Sequence, residues 1–578
     1  MATFIRLTDY KSSEEKRQAF DDSKNRYEVN TADFKKIPGS PIAYWVEGKD
    51  LFANKTIGDA FFSGGRNKTH NNEKYVRFGW EVSSNSSRWV SYANGSDFRK
   101  YAGSEIHVVD WSVEAKEYYD SHGGLCNKKF WDKKGLTWAL ITSAINSFRI
   151  KPDYSLYSSG SPTIFNESYT YSYSTIAFLN SPIAKYYLVA INPTLNTTVS
   201  DVFALPLVGL TNSSIVDSNT ENCISMSKFD WNSFETSWDF EALPIISYEH
   251  KGDTLEASYG NWREFGKAQT AEMKRLEEEN NRIFIDAYGL QNELTPDVPI
   301  EQITLTVNPA YRYGKDKTDE EYEELFRTDS MKELISYSIG CMMGRYSLDE
   351  KGLIYAHSGN EGFDHSKYTT FPADEDGIIP LTDLEWFPDD ATNRFIEFIE
   401  KVWGKDTKEQ NLKFVADSLS PKRGETPEQT IRRYMSANFF KDHMKRYKKR
   451  PIYWLFSSGK EKAFEALVYL HRYNESTLSR MRSEYVNPLQ TNMNAYLTRL
   501  DKSLEDSSLS SSEQKKLEKE REVLIKKITE LRTFDEQLKH YADQRISIDL
   551  DDGVKVNYGK FGDLLAEVKN ISGGKDED

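Results

Sequence analysis

Arginine, lysine and asparagine alternate with aromatic rings and glycines over Gly64 to Val82, GGRNKTHNNEKYVRFGWEV, and again over Arg88 to Trp111, RWVSYANGSDFRKYAGSEIHVVDW. Lysine and arginine neutralise phosphates, and asparagine and arginine can make paired hydrogen bonds to adenine and guanine edges. Glycines let a backbone approach its ligand closely. Arg66, Lys68, Thr69, Asn71, Asn72, Lys74, Arg77, Arg99 and Lys100 are the candidate DNA contacts, joined by Lys128 and Lys129 of the basic stretch Lys128 to Lys134. By composition alone the pattern fits a polar, β-rich ligand-binding surface or an ordinary solvated one. A second basic run extends from Arg432-Arg433 to Arg450, with Tyr453 and Trp454 beside it. Lys445, Arg446, Lys448 and Arg450 are its candidate phosphate contacts. The alternative is a solvated helix face with an apolar back.

Other chemistries find little support. Asp549, Asp551 and Asp552 crowd one turn, as do Asp374, Glu375 and Asp376, but a magnesium site needs two or three converging carboxylates, and a solvated loop is the simpler reading. His357, His365, His443 and His471 lack metal-ligand spacing. Gly123-Gly124 has no lysine-serine pair beyond it, so it opens no phosphate loop. The expectation is that this chain holds no catalytic, cofactor or metal residue.

The elements that would carry these residues can be read coarsely. Thr3 to Leu7 reads as a strand, Ser12 to Phe20 as a charged helix, and Tyr27 to Trp45 as a second strand, a turn at Pro38 to Pro41 and an apolar exit. This opening resembles a connector whose upstream partner is missing, or one that folds back onto the next domain. Short alternating segments such as Tyr75 to Phe78 and Ile106 to Trp111 suit strands. Asn261 to Tyr288 has helical spacing and is closed by Gly289. Ile303 to Val307 reads as a strand ending in a turn. From about 331 to 480 the pattern is largely helical. Leu489, Met493, Tyr496, Leu497, Leu500 and Leu504 mark one helix face, and Leu517, Leu524, Leu531 and Leu538 recur every seven residues on another. The serine-rich 507–512 stretch reads as the turn of an antiparallel hairpin; an intermolecular coiled coil is the alternative.

At 578 residues the chain has room for three or four domains. A net charge of −15 argues against nonspecific coating of nucleic acid, yet leaves room for a local basic surface. Cys126, Cys223 and Cys341 are odd in number and widely spaced, which predicts reduced, buried thiols. No run of eighteen apolar residues and no apolar N-terminal core exists, so the expected class is a soluble, cytoplasmic protein without membrane partners.

One segment carries a resemblance. Ile176 to Val208, IAFLNSPIAKYYLVAINPTLNTTVSDVFALPLV, places an amphipathic helix before Asn192-Pro193, then a polar Thr/Asn stretch, then Leu205-Pro206-Leu207, which suits a short edge strand. This order resembles the closing segment of the target-recognition domain in fused DNA adenine methyltransferases: the BREX phage-defence family PglX and the related type IIG restriction-modification enzymes. The opening of that domain matches Thr69, Asn71, Asn72, Tyr75, Val76, Arg77, Trp80, Glu81 and Val82. It continues at Trp89, Tyr92, Gly95, Phe98, Arg99, Lys100, Tyr101, Gly103, Val109, Trp111 and Gly135 to Trp138. His70 stands where the family usually has glycine. Phe34 to Trp45, Asn281 to Thr295, Phe371 to Gly377, Arg450 to Gly459 and Ile546 to Val554 resemble further landmarks in the same order. Asn308-Pro309-Ala310-Tyr311 is similar to the Asn-Pro-Pro-Tyr turn with which such enzymes hold a flipped adenine, but Ala310 replaces the second proline.

The resemblance implies the C-terminal half of an adenine-N6 methyltransferase of antiviral defence, which selects the DNA site. S-adenosylmethionine and catalysis would belong to a missing N-terminal domain, so the chain alone is expected to be non-catalytic. The implied fold class is α+β: a mixed target-recognition domain followed by a mainly helical C-terminal region ending in an antiparallel helical hairpin. The expected division is a connector over 1–45, a recognition domain over 46–212, a connector with a long helix (261–288) over 213–330, a helical domain over 331–480, and the hairpin and tail over 481–578. Implied partners are double-stranded DNA, the methyltransferase half in cis or trans, other BREX proteins and phage DNA-mimic inhibitors. The alternative is a stand-alone specificity subunit or an interaction scaffold of a defence system.

Overall fold

The computed structural model describes residues 1–142, 145–506 and 509–573. The chain is α+β, with long helices and four small sheets among the described residues. It divides into two compact units. The first comprises Met1–Val76, Val90–Trp231 and Gly266–Asp316; the second comprises Arg77–Trp89, Asn232–Phe265 and Lys317–Asp578.

In the first unit, Ala2–Ile5 pairs antiparallel with Arg26–Val29. The helix between them, Ser13–Phe20, starts at a capping box of Ser12 and Glu15. Two further sheets come later in the chain. In one, Tyr92 and Ala93 of the strand Trp89–Ala93 pair in parallel with Leu156–Tyr157. The other sets Gly135–Trp138 between Phe148–Lys151 and Thr163–Ile164, antiparallel to both. Tyr75, Tyr92, Val109, Tyr119 and Leu156 form one core cluster; Ala93, Cys126, Phe130, Tyr157 and Phe165 form a second.

The segment from Ile176 to Val208 differs from the expected helix and edge strand. There are two helices, Tyr173–Leu179 and Pro182–Ile191, because Ser181 caps a new start with Pro182 in its first turn. Asn180 joins them to the sheet, accepting from Phe148 N at 2.9 Å and donating to Phe148 O at 2.9 Å. Pro206 makes only an isolated bridge with Thr56; proline lacks the N–H that would extend a ladder. Residues 303–307 do not form the expected strand either. A 3₁₀ turn, Ile300–Gln302, precedes them, and the Asp230 carboxylate accepts from Thr306 N at 2.7 Å and Val307 N at 3.0 Å. A side chain satisfies the donors that a strand would have paired.

The long helix begins earlier than its apolar periodicity suggests, at Leu255, and runs to Tyr288. Gly289, at φ +66°, ends it.

The second unit is helical through Asp319–Met342, Ala391–Trp403, Lys408–Ser418, Pro427–Ala437 and Phe439–Arg446. The expectation of a helical domain over 331–480 needs one correction. A three-stranded antiparallel sheet, with Glu465–Tyr469 between Ile378–Pro380 and Tyr453–Ser457, lies inside it. These strands are buried on both faces and read as continuous apolar runs, which periodicity cannot separate from helix. Asn487–Leu504 and Ser511–Asp543 pack antiparallel, with Arg482 on Asp535 at 2.7 Å and Arg521 on Asp501 at 2.5 Å. Leu524, Ile528, Leu531 and Leu538 are buried along the seam. Ser511 and Ser512 begin the second helix, and Ser507 and Ser508 of the expected turn lie outside the described residues.

Candidate nucleic-acid interface

In the first unit, two loops carry exposed cations and are tied to one another. Asn67 organises the first. Its side chain accepts from Cys126 N at 3.0 Å and donates to Tyr157 O at 3.2 Å, while Lys68 N donates to Gly124 O at 2.7 Å. Gly64 presses against Phe130 so closely that a Cβ would lie 2.2 Å from the ring. Lys128–Phe130 forms a 3₁₀ turn capped by Asn127. The result brings Arg66 and Lys68 alongside Lys128 and Lys129. Arg66, Lys74, Lys128 and Lys129 are exposed and Lys68 is half-buried. None of these five is ion-paired among the described residues. The Lys74 ammonium lies 4.9 Å from the centre of the Tyr75 ring and that of Lys129 4.8 Å from the centre of the Phe130 ring, cation–π contacts that steady each head on an otherwise exposed side chain.

Asn71 and Asn72 are exposed in the same loop. Asn71 caps the short turn Asn72–Tyr75, accepting from Lys74 N at 3.0 Å, and Thr69 donates to Asn72 Oδ1 at 2.5 Å. Thr69 itself is buried and acts as a loop brace. His70 has φ +57°, the left-handed region. That is the physical reason glycine suits this position.

Arg99 and Lys100 must be withdrawn from the exposed set. Arg99 is 2 % exposed and donates to Asp230 at 2.8 Å, to Ser227 O at 2.9 Å and to Ala102 O at 3.0 Å. Its guanidinium also lies 5.1 Å from the Trp231 ring. Lys100 is 4 % exposed and pairs with Glu277 of the long helix. Burial pushes the Glu277 carboxyl up, and the Lys100 ammonium opposes that shift. These cations tie the sheets to the helices Ser213–Asn232 and Leu255–Tyr288. Their partners are far away in sequence, and nothing in RKYAG announces them.

Arg77 also has a different role from the expected one. In the second unit it donates to the carbonyls of Asp551 at 3.1 Å and Asp552 at 3.2 Å, and burial depresses its pKa. Its neighbours share the task. Glu81 accepts from Val554 N at 2.8 Å, and Asp551 receives Arg88 at 2.7 Å and Trp89 Nε1 at 2.6 Å. Arg77 and Glu81 therefore hold the ISIDLDDGV turn, and Asp551 is an ion-pair partner.

The second basic run divides along its helix. Lys445, Lys448 and Lys449 are exposed and Arg450 is half-buried. Arg446 points inward to Glu235 at 3.9 Å; burial lowers its pKa, but Glu235 and Glu333 outweigh that and raise it. Arg446 is thus corrected to an interior cation. Tyr453 and Trp454 are fully buried strand residues and offer no ring for stacking on bases. His443 Nε2 accepts from Ile452 N and Tyr453 N, both at 3.1 Å, and burial drives its pKa well down, so it is a neutral core group.

Lys133 and Lys134 belong to the basic stretch in the sequence, though not to the candidate contacts. Both are half-buried: Lys133 lies 5.3 Å from the Tyr169 ring, and Lys134 lies 5.6 Å from that of Tyr171 and pairs with Asp153 at 3.9 Å. Among the described residues, no His, Cys, Asp and Glu cluster is arranged to hold a metal ion, and no helix is long and apolar enough to cross a membrane.

Two relatives decide the family comparison. The adenine-specific methyltransferase BrxX of Escherichia coli O9:H4 (strain HS) is 44 % identical over 569 residues, covering 94 % of this chain and 46 % of its own length. The adenine-specific methyltransferase PglX of Lacticaseibacillus casei (strain Zhang) is 35 % identical over 597 residues, covering 97 % of this chain and 48 % of its own. Nearly the whole chain is thus similar to part of each of these two adenine-specific methyltransferases. It spans about half the length of the curated relatives it matches. No protein-family model matches it.

In this chain the Asn-Pro-Ala-Tyr sequence serves a structural end. Asn308 is buried and donates to Ile300 O and Ile303 O, both at 2.8 Å, while its Oδ1 accepts from Ala310 N at 3.2 Å. It is the N-cap of the helix Pro309–Tyr313. Tyr311 donates to Phe98 O at 2.6 Å. Both polar groups that such a turn would offer to an adenine already have protein partners.

Proposed function

We propose that this chain serves site-specific adenine-N6 methylation of DNA in a BREX-type phage-defence system, and that its part is to select the site. Methyl transfer and S-adenosylmethionine binding then fall to protein outside these 578 residues, in cis or in trans. The observation that carries this reading is the pair of braced loops bearing Arg66, Lys68, Lys74, Lys128 and Lys129 without ion-pair partners among the described residues. On a chain of net charge −15 such a cluster attracts a polyanion locally. Asn71 and Asn72 are exposed in the same loop; their Oδ1 atoms each accept one local hydrogen bond, which leaves the second lone pair and the Nδ2 group of each for a base edge. Lys445 and Lys448 are candidates for a further phosphate contact.

The test is duplex DNA binding by the purified chain at several salt concentrations. Replacing Arg66, Lys74, Lys128 and Lys129 together by alanine is expected to weaken binding at least about tenfold at low salt, and to lower the log–log salt slope by about 0.9 for each phosphate that is no longer neutralised. Replacing Asn71 and Asn72 by alanine should instead narrow the gap between preferred and scrambled sequences, by about 1–3 kcal/mol for each bidentate amide–base pairing abolished. An unchanged affinity and slope in the fourfold variant would refute the assignment of these loops.

A further inference from the structure

Two histidines flank the tie between the cation-bearing loops, and recognition by lysine, arginine and asparagine leaves them unused. Lys68 N donates to Gly124 O at 2.7 Å. His70 and His122 each stand two residues from that tie, both exposed, with ring centres 5.6 Å apart. His122 is the C-cap of the helix Val113–Ser121, and its ring lies 4.3 Å from that of Tyr118. Neither imidazole is ion-paired among the described residues.

The basic nitrogen of His122 follows from its contacts. Its Nδ1 lies 2.8 Å from Tyr118 O, and a carbonyl only accepts, so Nδ1 carries the hydrogen of the neutral ring. Nε2 is left basic, without a hydrogen-bond partner among the described residues. The His70 side chain makes no hydrogen bond among them either. The charged and titratable neighbours are Lys68, Glu73 and Lys74 on the first loop, Lys128 and Lys129 on the second, and Glu114, Lys116, Glu117, Tyr118 and Asp120 on the helix. Imidazole ordinarily changes its charge between pH 5 and 8, a window across which exposed carboxylates and lysines stay charged.

We propose that His70 and His122 are further DNA contacts, each taking up a proton as a phosphate settles beside it, so that the chain grips DNA more tightly as pH falls. The inference rests on the DNA-binding reading of these loops. Each neutral ring gains one proton from solvent at its basic nitrogen, and the new N–H donates to a phosphate oxygen. Because protonation favours the phosphate, the phosphate equally favours protonation.

Duplex DNA binding by the full chain at about pH 6 and about pH 8 tests it. The unaltered chain should bind at least about tenfold more tightly at the lower pH, with a log–log salt slope steeper by about 0.9 for each phosphate that an imidazolium neutralises. His70→Asn together with His122→Gln should remove that gain; asparagine tolerates the left-handed backbone at 70. His122→Gln alone, which keeps residue 70 intact, should lose part of it. His540→Gln, an exposed histidine of the second unit, should leave it unchanged. Calorimetry in two buffers of different ionisation enthalpy should show net proton uptake by the unaltered chain and less by the double variant. Binding at about pH 8 that fails to tighten at about pH 6 overturns this inference alone. A pH dependence that survives the double substitution, or that H540Q abolishes equally, does the same. No DNA binding at either pH overturns the DNA-binding reading as well.

Discussion

Arg66 and Arg99 lie in neighbouring glycine-rich stretches of the same unit, yet the first guanidinium is exposed and the second is 2 % exposed. The difference lies in what the rest of the fold brings to each. Asp230 and Glu277, carried by helices far along the chain, converge on Arg99 and Lys100, whereas no carboxylate pairs with Arg66, Lys68, Lys74, Lys128 or Lys129 among the described residues. A buried cation must be ion-paired, hydrogen-bonded or brought towards its neutral form, because an uncompensated charge in a low-dielectric interior is prohibitive. An exposed one gains little from pairing and stays available to a phosphate. One composition thus yields a structural clamp and a candidate recognition surface.

The largest effect expected is at the clamp. Arg99→Ala leaves Asp230 buried with only backbone donors and should cost about 3–5 kcal/mol, read from the urea midpoint of the first unit. Arg66→Ala should stay within about 0.5 kcal/mol. Similar losses in the two variants would break the distinction. Gly103 comes next. It has φ +96°, and a Cβ there would lie 2.7 Å from Arg99 Nε and 2.9 Å from the Trp231 ring. Gly103→Ala should therefore cost about 1–3 kcal/mol by displacing the clamp.

Lys151 provides an intermediate case, a buried lysine without an ion pair. It donates to Trp131 O at 3.2 Å and Lys133 O at 2.8 Å, and burial brings its pKa down to about 8. An unfolded lysine titrates near ~10.4. Between these values the unfolded chain holds a proton that the folded one has released, so the first unit should gain stability as pH rises from about 8 to about 10.4. The slope is at most about 1.4 kcal/mol per pH unit, and Lys151→Met should flatten it. A slope that survives the substitution would assign it to another group. The smallest effect belongs to His70. Its left-handed backbone costs roughly 1–2 kcal/mol, but glycine loses about 0.5–1 kcal/mol through unfolded-state freedom, so His70→Gly should change stability by less than about 1 kcal/mol. A larger loss would show that the ring, 5.6 Å from that of His122, braces the loop.

Local signals were legible wherever one stretch of chain contains its own explanation. The charged helix from Ser12 to Phe20, the glycine stop at Gly289 and the seven-residue leucine spacing from Leu524 to Leu538 each describe a structure within reach of their own residues. The sheet formed by Ile378–Pro380, Tyr453–Ser457 and Glu465–Tyr469 was not legible, because strands buried on both faces carry no alternation. The strand expected over 303–307 failed because Asp230, distant in sequence, supplies its hydrogen bonds.

The sequence by itself determined the α+β class, the helical hairpin, the glycine end of the long helix and the set of candidate residues for phosphate and base contact. These arise from propensities and spacings that act over one or two turns of chain. Tertiary structure alone decided which cations remain for a ligand: it enclosed Arg99, Lys100 and Arg446 beside carboxylates and left Arg66, Lys74, Lys128 and Lys129 in water. The reason is electrostatic. A charge's role is set by its partners and its dielectric surroundings, and both are assembled from residues that are neighbours only after folding.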